Sequence, residues 1–433
     1  MGRATRYGWR RARLMALLAG LVLALLLAAA PGQASRTDIT VIKDDWAIEF
    51  PDHVTFDLTA VSGQQIAEIR LRYRPLGSRV WAYGYPAFEP AQRVTARFNL
   101  RTGGAGFLPP GTRLEYYYVI RDVQGNVHET PPAVLEYRDT RFNWERTQVG
   151  PLVLVYHDIP QSEVNKVTNQ VRVELERLSE LLQIEADRPI EGIIYNQRAA
   201  AIDAFPFQSR TITEQHVYEG FAFPERGLFL GVGLKPSLII HESAHVLLHQ
   251  ALGPASRPIP AWLNEGFASY VEPGANPYSG QSLSSSLSSP NMPLSAMSTV
   301  PGTPRAIGAF YLKAESVVSY LIEEHGVESF QRFLGKLKLG LRADDALVLT
   351  YGFDTSGLDA LWSTNTRGRT ARNPDSRSNP SLFVYLDTWV IAILALVVMA
   401  VVLVRYVSRK LRPDPNPEEG LQPWEDPDYF EPR

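Results

Sequence analysis

Along the 433-residue chain, apolar and polar positions follow first one period and then another, and the change divides the sequence. From about 37 to 140 the apolar runs are short and broken by Gly, Pro and Asn. Runs at 39–42, 55–60, 66–73, 94–99, 114–120 and 134–137 therefore predict strands, with a turn at 122–126. No helical spacing interrupts them, so an all-β sandwich of the immunoglobulin or fibronectin type III kind is expected there. Beyond 150 the pattern mixes. Residues 152–156 and 190–195 read as strands, and Val164, Val167, Val171, Leu175, Leu178 and Leu182 predict an amphipathic helix over 161–183. The segment 220–233 reads as short apolar strands around a Pro-Glu-Arg turn. A largely apolar helix follows, opened by Pro236-Ser237 and stopped by Gly253-Pro254. The expectation for 150–363 is an α+β domain, with a mobile loop or lid rich in Ser, Pro and Asn at 279–298.

The two ends have neither period. Arg3, Arg6, Arg10, Arg11 and Arg13 precede an apolar run at 14–30 and small residues to Ala34, the pattern of a secretory signal over 1–34, cleaved or kept as an anchor. After a Pro- and Arg-containing linker at 364–384, the uncharged stretch 388–404 predicts a C-terminal transmembrane helix, placed with its aromatic border at 385–404. Arg405, Arg409, Lys410 and Arg412 behind it put a tail, 405–433, in the cytoplasm and the folded part outside the cell membrane. Absence of cysteine excludes disulfides and thiolate metal sites. A net charge of −3 with no basic stripe outside the membrane flanks excludes nucleic acid as the partner.

The chemistry is concentrated in His241-Glu242-Ser243-Ala244-His245. Residues four apart share a helix face, so both imidazoles can reach one ion while Glu242 serves as general base. Glu265, in Trp262-Leu263-Asn264-Glu265-Gly266-Phe267-Ala268, stands twenty positions on, far enough for the chain to return on a second helix. Two His, one Glu and an open position make a catalytic Zn2+ site, one ion per chain, rather than a closed structural one. Asn264 and Ser269 are candidates to orient the ligands. Should Glu265 not be the third ligand, Glu272 is an alternative.

The string from Trp262 to Tyr270 resembles the second-helix motif of the gluzincin aminopeptidases related to leukotriene A4 hydrolase, and about 150–365 resembles bacterial peptidase MA-like domains. By that resemblance Tyr311, in Tyr311-Leu312-Lys313-Ala314, would donate to the oxyanion of the tetrahedral intermediate. A core aromatic on the same helix is the other reading. The glycine-x-methionine-glutamate-asparagine string that holds a free amino terminus in those enzymes has no match between Phe205 and Leu238, which points away from exopeptidase action. In that group an edge strand beside the zinc helix pairs with extended substrate, a role that would fall to 220–233. Metzincin chemistry is excluded, because Leu248 and Ala251 stand where glycine and a third histidine are required. His249, His216 and His325 read as incidental.

The expected function is a membrane-anchored extracytoplasmic zinc metallopeptidase with a peptide or protein substrate. Two alternatives stay open: a zinc-containing, non-catalytic binding or adhesion protein, and hydrolysis of a non-peptide amide or ester.

Overall fold

The N-terminal alternation folds into two antiparallel sheets that share one core. In the computed structural model, residues 39–185, 189–207, 219–272 and 292–372 are described. The first sheet joins β1 (Thr40–Glu49), β2 (His53–Val61) and β5 (Arg93–Arg101) in that order. The second joins β4 (Ala82–Gly84), β3 (Ile66–Pro75) and β6 (Arg113–Asp122), with β7 (Val127–Glu129) and β8 (Ala133–Glu136) both paired to β6. In β2 and β6 every second residue points inward. Val54, Phe56, Leu58 and Ala60 of β2 are buried in the same cluster as Leu114, Tyr116, Tyr118 and Ile120 of β6. At 122–126 the Asp122 Oδ1 accepts the N–H groups of Gln124 and Asn126, each at 2.9 Å, and so makes the turn.

The second part is built on a mixed five-stranded sheet, β12-β13-β11-β10-β9, made of β9 (Glu145–Val149), β10 (Leu152–Tyr156), β11 (Ile190–Tyr195), β12 (Gly220–Phe223) and β13 (Leu228–Val232). β10, β11 and β13 run parallel, and β9 and β12 are antiparallel edges. Helices α1 (Gln161–Leu182), α2 (Arg198–Ala201), α3 (Pro236–Leu252), α4 (Ala261–Val271), α5 (Pro304–His325), α6 (Val327–Lys338), α7 (Ala343–Tyr351) and α8 (Thr355–Arg372) complete it. One face of the sheet, through Leu154, Ile190, Ile194 and Phe229, joins the large core of α1 and α3–α8. The opposite face, through Val155, Ile193, Tyr195 and Leu228, packs on Phe50, Phe142 and Trp144. A sheet covered on both faces is what parallel pairing requires.

The sandwich is seated against this second face. Asp139, fully buried, is held by Arg141 and by the Tyr195 hydroxyl (3.2 Å), while Arg141 also reaches Asp203 (2.6 Å). Phe107 from the sandwich meets Phe223 of β12 with ring centroids 6.0 Å apart. The β12 edge of the mixed sheet is thereby braced from behind.

Several expectations change. β1 continues to Glu49, well past 42, because every residue from Lys43 to Glu49 pairs with β2. β9 was not anticipated: Glu-Arg-Thr-Gln-Val carries no apolar alternation, and it is a strand because β10 offers it a free edge. The second sheet therefore starts at Glu145, ahead of the expected 150. Helix α8 reaches Arg372, so the first nine residues of the expected linker at 364–384 are helical. The described part of the expected 279–298 loop is packed, not loose: Leu294 and Met297 are buried, and Lys313 Nζ bonds the Met292 carbonyl at 2.9 Å. Asp359 accepts both from Lys313 Nζ (2.6 Å) and from the Leu294 N–H (2.9 Å). The expected signal segment 1–34, the span 385–404 and the tail 405–433 lie outside the described residues, as does His216. Among the described residues no helix is long and apolar enough to cross a membrane.

Candidate active site

Helix α3 starts at Pro236, whose missing N–H is no loss at the first helical position, and ends at Gly253 with φ +69°. It is buried on almost every side, which is why its apolar residues show no single stripe. His241 and His245 fall four apart on it and their rings meet edge to face at 5.0 Å. Helix α4 comes back alongside. Its first N–H groups are satisfied by carbonyls of the returning chain, Ala261 to Ser298 (3.1 Å) and Trp262 to Met297 (3.0 Å), so the helix needs no side-chain cap.

This pairing brings Glu265 to the histidines. Its Oε2 lies 3.5 Å from His245 Nε2 and 3.8 Å from His241 Nε2. The three donor atoms lie within 4.8 Å of one another. A tetrahedral zinc ion with bonds of about 2.1 Å sets its ligands roughly 3.4 Å apart, so this donor set fits the ion in both chemistry and spacing. No other group of three or more His, Cys, Asp or Glu among the described residues converges in this way.

Electrostatics agree with the spacing. Burial pulls the His241 imidazole down, but Glu265 and Glu272 outweigh it and raise it to about 10. Burial likewise opposes charge on His245, and Glu265 overrides it. Glu265 itself is pushed up by burial and brought far below the carboxylate range by the two histidines. Without a metal the triad is a set of mutually compensating charges; with one, the positive charge sits on the ion instead.

Glu242 is 6% exposed, and burial raises its carboxyl while both imidazoles pull it back. Strand β12 passes directly over it: a Cβ on Gly220 would stand 2.5 Å from Glu242 Oε1, so only glycine leaves that carboxylate its place. Together these groups floor an open cleft of about 720 Å3 between β12, α3, α4 and α5. Asn264, Ser269 and Tyr311 line it too. The Tyr311 ring is 6.5 Å from that of His241, so the side chain is at the cleft wall rather than wholly in the core. His245 Nδ1 is buried with no hydrogen-bond partner among the described residues, and Ser269 does not supply one. His249 and His325 occupy helix ends away from the cleft lining.

Two further carboxylates line the cleft: Glu272, which the sequence offered only as an alternative third ligand, and Glu315, which it did not single out. Glu272 Oε2 lies 3.3 Å from His241 Nδ1, near enough to attract it but off the N–H axis of a hydrogen bond. Glu315 stands in the cleft one turn beyond Tyr311, and burial followed by repulsion from Glu272 raises it to about 7. Sequence carried a signal for both, seven residues after Glu265 and four after Tyr311, spacings that keep a helix face.

The Peptidase MA superfamily model matches residues 171–368, so the chain carries a peptidase MA-like domain. The matched span holds the His-His-Glu group and begins after the two N-terminal sheets. No curated protein matches the chain. Among solved structures it is similar to a catalytically inactive OgpA from Akkermansia muciniphila bound to an O-glycopeptide, at 9% identity and TM-score 0.20, over 26% of this chain and 34% of that one. It is also similar to a β-1,3-glucan-binding domain of carbohydrate-binding module family 56, at 16% identity and TM-score 0.15, over 23% of this chain and 99% of that one. The purple acid phosphatase PPD1 from seeds of yellow lupin, Lupinus luteus, gives 11% identity and TM-score 0.19, over 36% and 30%. The chain thus spans about a third of the first of these structures.

Proposed function

We propose that this chain is a membrane-anchored, extracytoplasmic zinc metallopeptidase of the gluzincin type, acting as an endopeptidase on peptide or protein substrates. The observation that carries the reading is the convergence of His241 Nε2, His245 Nε2 and Glu265 Oε2 beside the buried Glu242 at the floor of an open cleft. His241, His245 and Glu265 would hold zinc, which when bound supplies a Lewis acid for the scissile carbonyl and lowers the pKa of the attacking water. Glu242 accepts the proton of that water and delivers it to the leaving amine, a task suited to a carboxylate whose burial raises its basicity. Tyr311 donates from the cleft wall to the developing oxyanion. Edge strand β12, kept close by Gly220, receives the extended substrate by main-chain pairing.

The N-terminal sheets are read as an immunoglobulin- or fibronectin III-like module that braces the cleft edge, and kinship of the two zinc helices with leukotriene A4 hydrolase-type enzymes belongs to the same proposal. Membrane anchoring rests on the sequence at 385–404 alone. A purely structural zinc site in a binding protein would have a side chain filling the fourth position; a cleft of about 720 Å3 over the three donors favours the enzyme. The test is incubation of the purified full-length protein with a peptide library, with and without a chelator. Cleavage that chelation abolishes and added zinc restores is expected; zinc-bound protein that cuts no peptide overturns the reading.

A further inference from the structure

The outward face of the second sandwich sheet carries aromatic rings that the core does not use. Gly84 of β4 lies on the ring of Phe98, where a Cβ would stand 2.3 Å from the nearest ring carbon. The strand is therefore pressed down at glycine, and Tyr83 and Tyr85 on either side of it point outward, 59% and 57% exposed. Trp81 and Tyr117 share this face, their rings meeting edge to face at 4.9 Å. None of the four belongs to a core cluster. Guanidinium groups stand between the rings. β3 turns Arg70, Arg72 and Arg74 outward in alternation with the buried Ile69 and Leu71. Arg74 lies over the Trp81 ring at 4.1 Å, and Arg70 over those of Tyr83 and Tyr85 at 5.9 and 5.5 Å. Glu68 holds Arg70 at 2.6 Å and Arg121 at 3.7 Å, and Glu115 holds Arg74 at 2.7 Å. Arg72 is left over. It stands opposite Tyr83 on β4 and Tyr117 on β6, without an ion-pair partner among the described residues and with its Nε buried and unsatisfied.

A contiguous patch of exposed rings marks a surface that something covers. Its chemistry narrows the occupant. A bilayer would have to take up Glu68 and Glu115 with the rings, which is costly. A second copy of the same face would bring two cationic excesses together. Rings interleaved with fixed ion pairs instead match a ligand whose own surface alternates apolar faces with polar edges. A pyranose does so: its C–H face packs on an aromatic ring, and its hydroxyls meet the guanidinium and carboxylate groups at the ring edge. The unpaired guanidinium of Arg72 adds a demand for an anion, and a carboxylate meets it with two parallel hydrogen bonds. We propose that this face binds a carboxylated polysaccharide, with sugar rings on Trp81, Tyr83 and Tyr85 and a carboxylate on Arg72. None of these residues lines the cleft, so the site is separate from the zinc chemistry and does not depend on the peptidase reading.

The test is calorimetric titration of the full-length protein with oligomers of polygalacturonate, alginate and hyaluronate, against neutral maltodextrin and cellodextrin of the same length. Poly-glutamate and phosphatidylglycerol vesicles supply the acidic-peptide and lipid arms. At least one carboxylated oligomer should bind about tenfold or more tighter than either neutral one. Tyr83→Ala and Tyr85→Ala should each weaken that binding about tenfold, whereas Tyr83→Phe, which keeps the ring, should bind as the wild type does. Arg72→Gln should bring the carboxylated oligomer down to the affinity of the neutral ones. Melting temperatures of all four variants should stay close to the wild type, because the substituted side chains lie outside the core. Failure of every oligosaccharide to bind, or binding that the tyrosine variants leave unchanged, overturns the proposal. Equal affinity for neutral and carboxylated oligomers overturns it as well. Tighter binding of poly-glutamate or of the vesicles overturns it in favour of a peptide or a lipid surface.

Discussion

Gly266 lies against the backbone carbonyl of Ala314, so close that a Cβ built on it would stand 2.3 Å from the Ala314 oxygen. The contact sets how near α4 comes to α5, and so how near Glu265, the residue before Gly266, comes to the wall bearing Tyr311 and Glu315. Gly266→Ala should overpack this seam and cost about 1–3 kcal/mol, measurable by denaturant unfolding. The same variant should bind zinc more weakly, because relief of the clash moves Glu265. Unchanged stability and zinc content would show that the helices separate freely.

Glu242→Gln should keep fold and metal and lose turnover by on the order of 10²- to 10⁴-fold, since the three ligand atoms remain and only the proton acceptor is removed. Near-normal turnover would remove Glu242 from the role of base.

Glu265→Ala should lose zinc as well as activity, because two neutral imidazoles hold the ion far less tightly than two imidazoles with a carboxylate. Glu272 is on the Nδ1 side of His241, the side turned away from Glu265, so it is not placed to substitute. Full zinc occupancy of the variant by elemental analysis would assign the third ligand elsewhere.

Tyr311→Phe keeps the ring and removes the hydroxyl. If the phenol meets the oxyanion, kcat should fall roughly ten- to a thousandfold while the melting temperature barely moves. A variant silent in both assays would return Tyr311 to the role of a packing aromatic.

Glu315 gives a pH dependence with a definite sign in the metal-free protein. Its carboxyl is raised from 4.5 to about 7, by burial first and Glu272 second. Between those values the folded chain holds a proton that the unfolded chain has lost, so stability falls as pH rises through this window and the penalty is full above about 7. With allowance for its partial exposure, Glu315→Gln should be more stable than the wild type by about 1–2 kcal/mol at pH 8, the difference vanishing near pH 4.5. A constant difference across that range, by thermal unfolding with chelator present, would show that Glu315 does not titrate there.

What the sequence determined by itself is whatever depends on spacing along one element. Residues four apart put His241 and His245 on one helix face, short apolar runs marked β2, β6, β10 and β11, and Pro236 and Gly253 bounded α3, because period and cap are local properties of the backbone. The tertiary structure decided what depends on which elements meet. β9 is a strand only because β10 presents an open edge, and the polar sequence Glu145–Val149 has no signal of its own. The Met292–Met297 segment is fixed by Lys313 and Asp359, 46 positions apart, which no local pattern links. Glu272 entered the sequence reading only as an alternative ligand and Glu315 not at all, because spacing within one helix does not say which helices meet; they line one cleft because glycine at 266 lets two helices touch, and repulsion across that contact exists only in the folded chain.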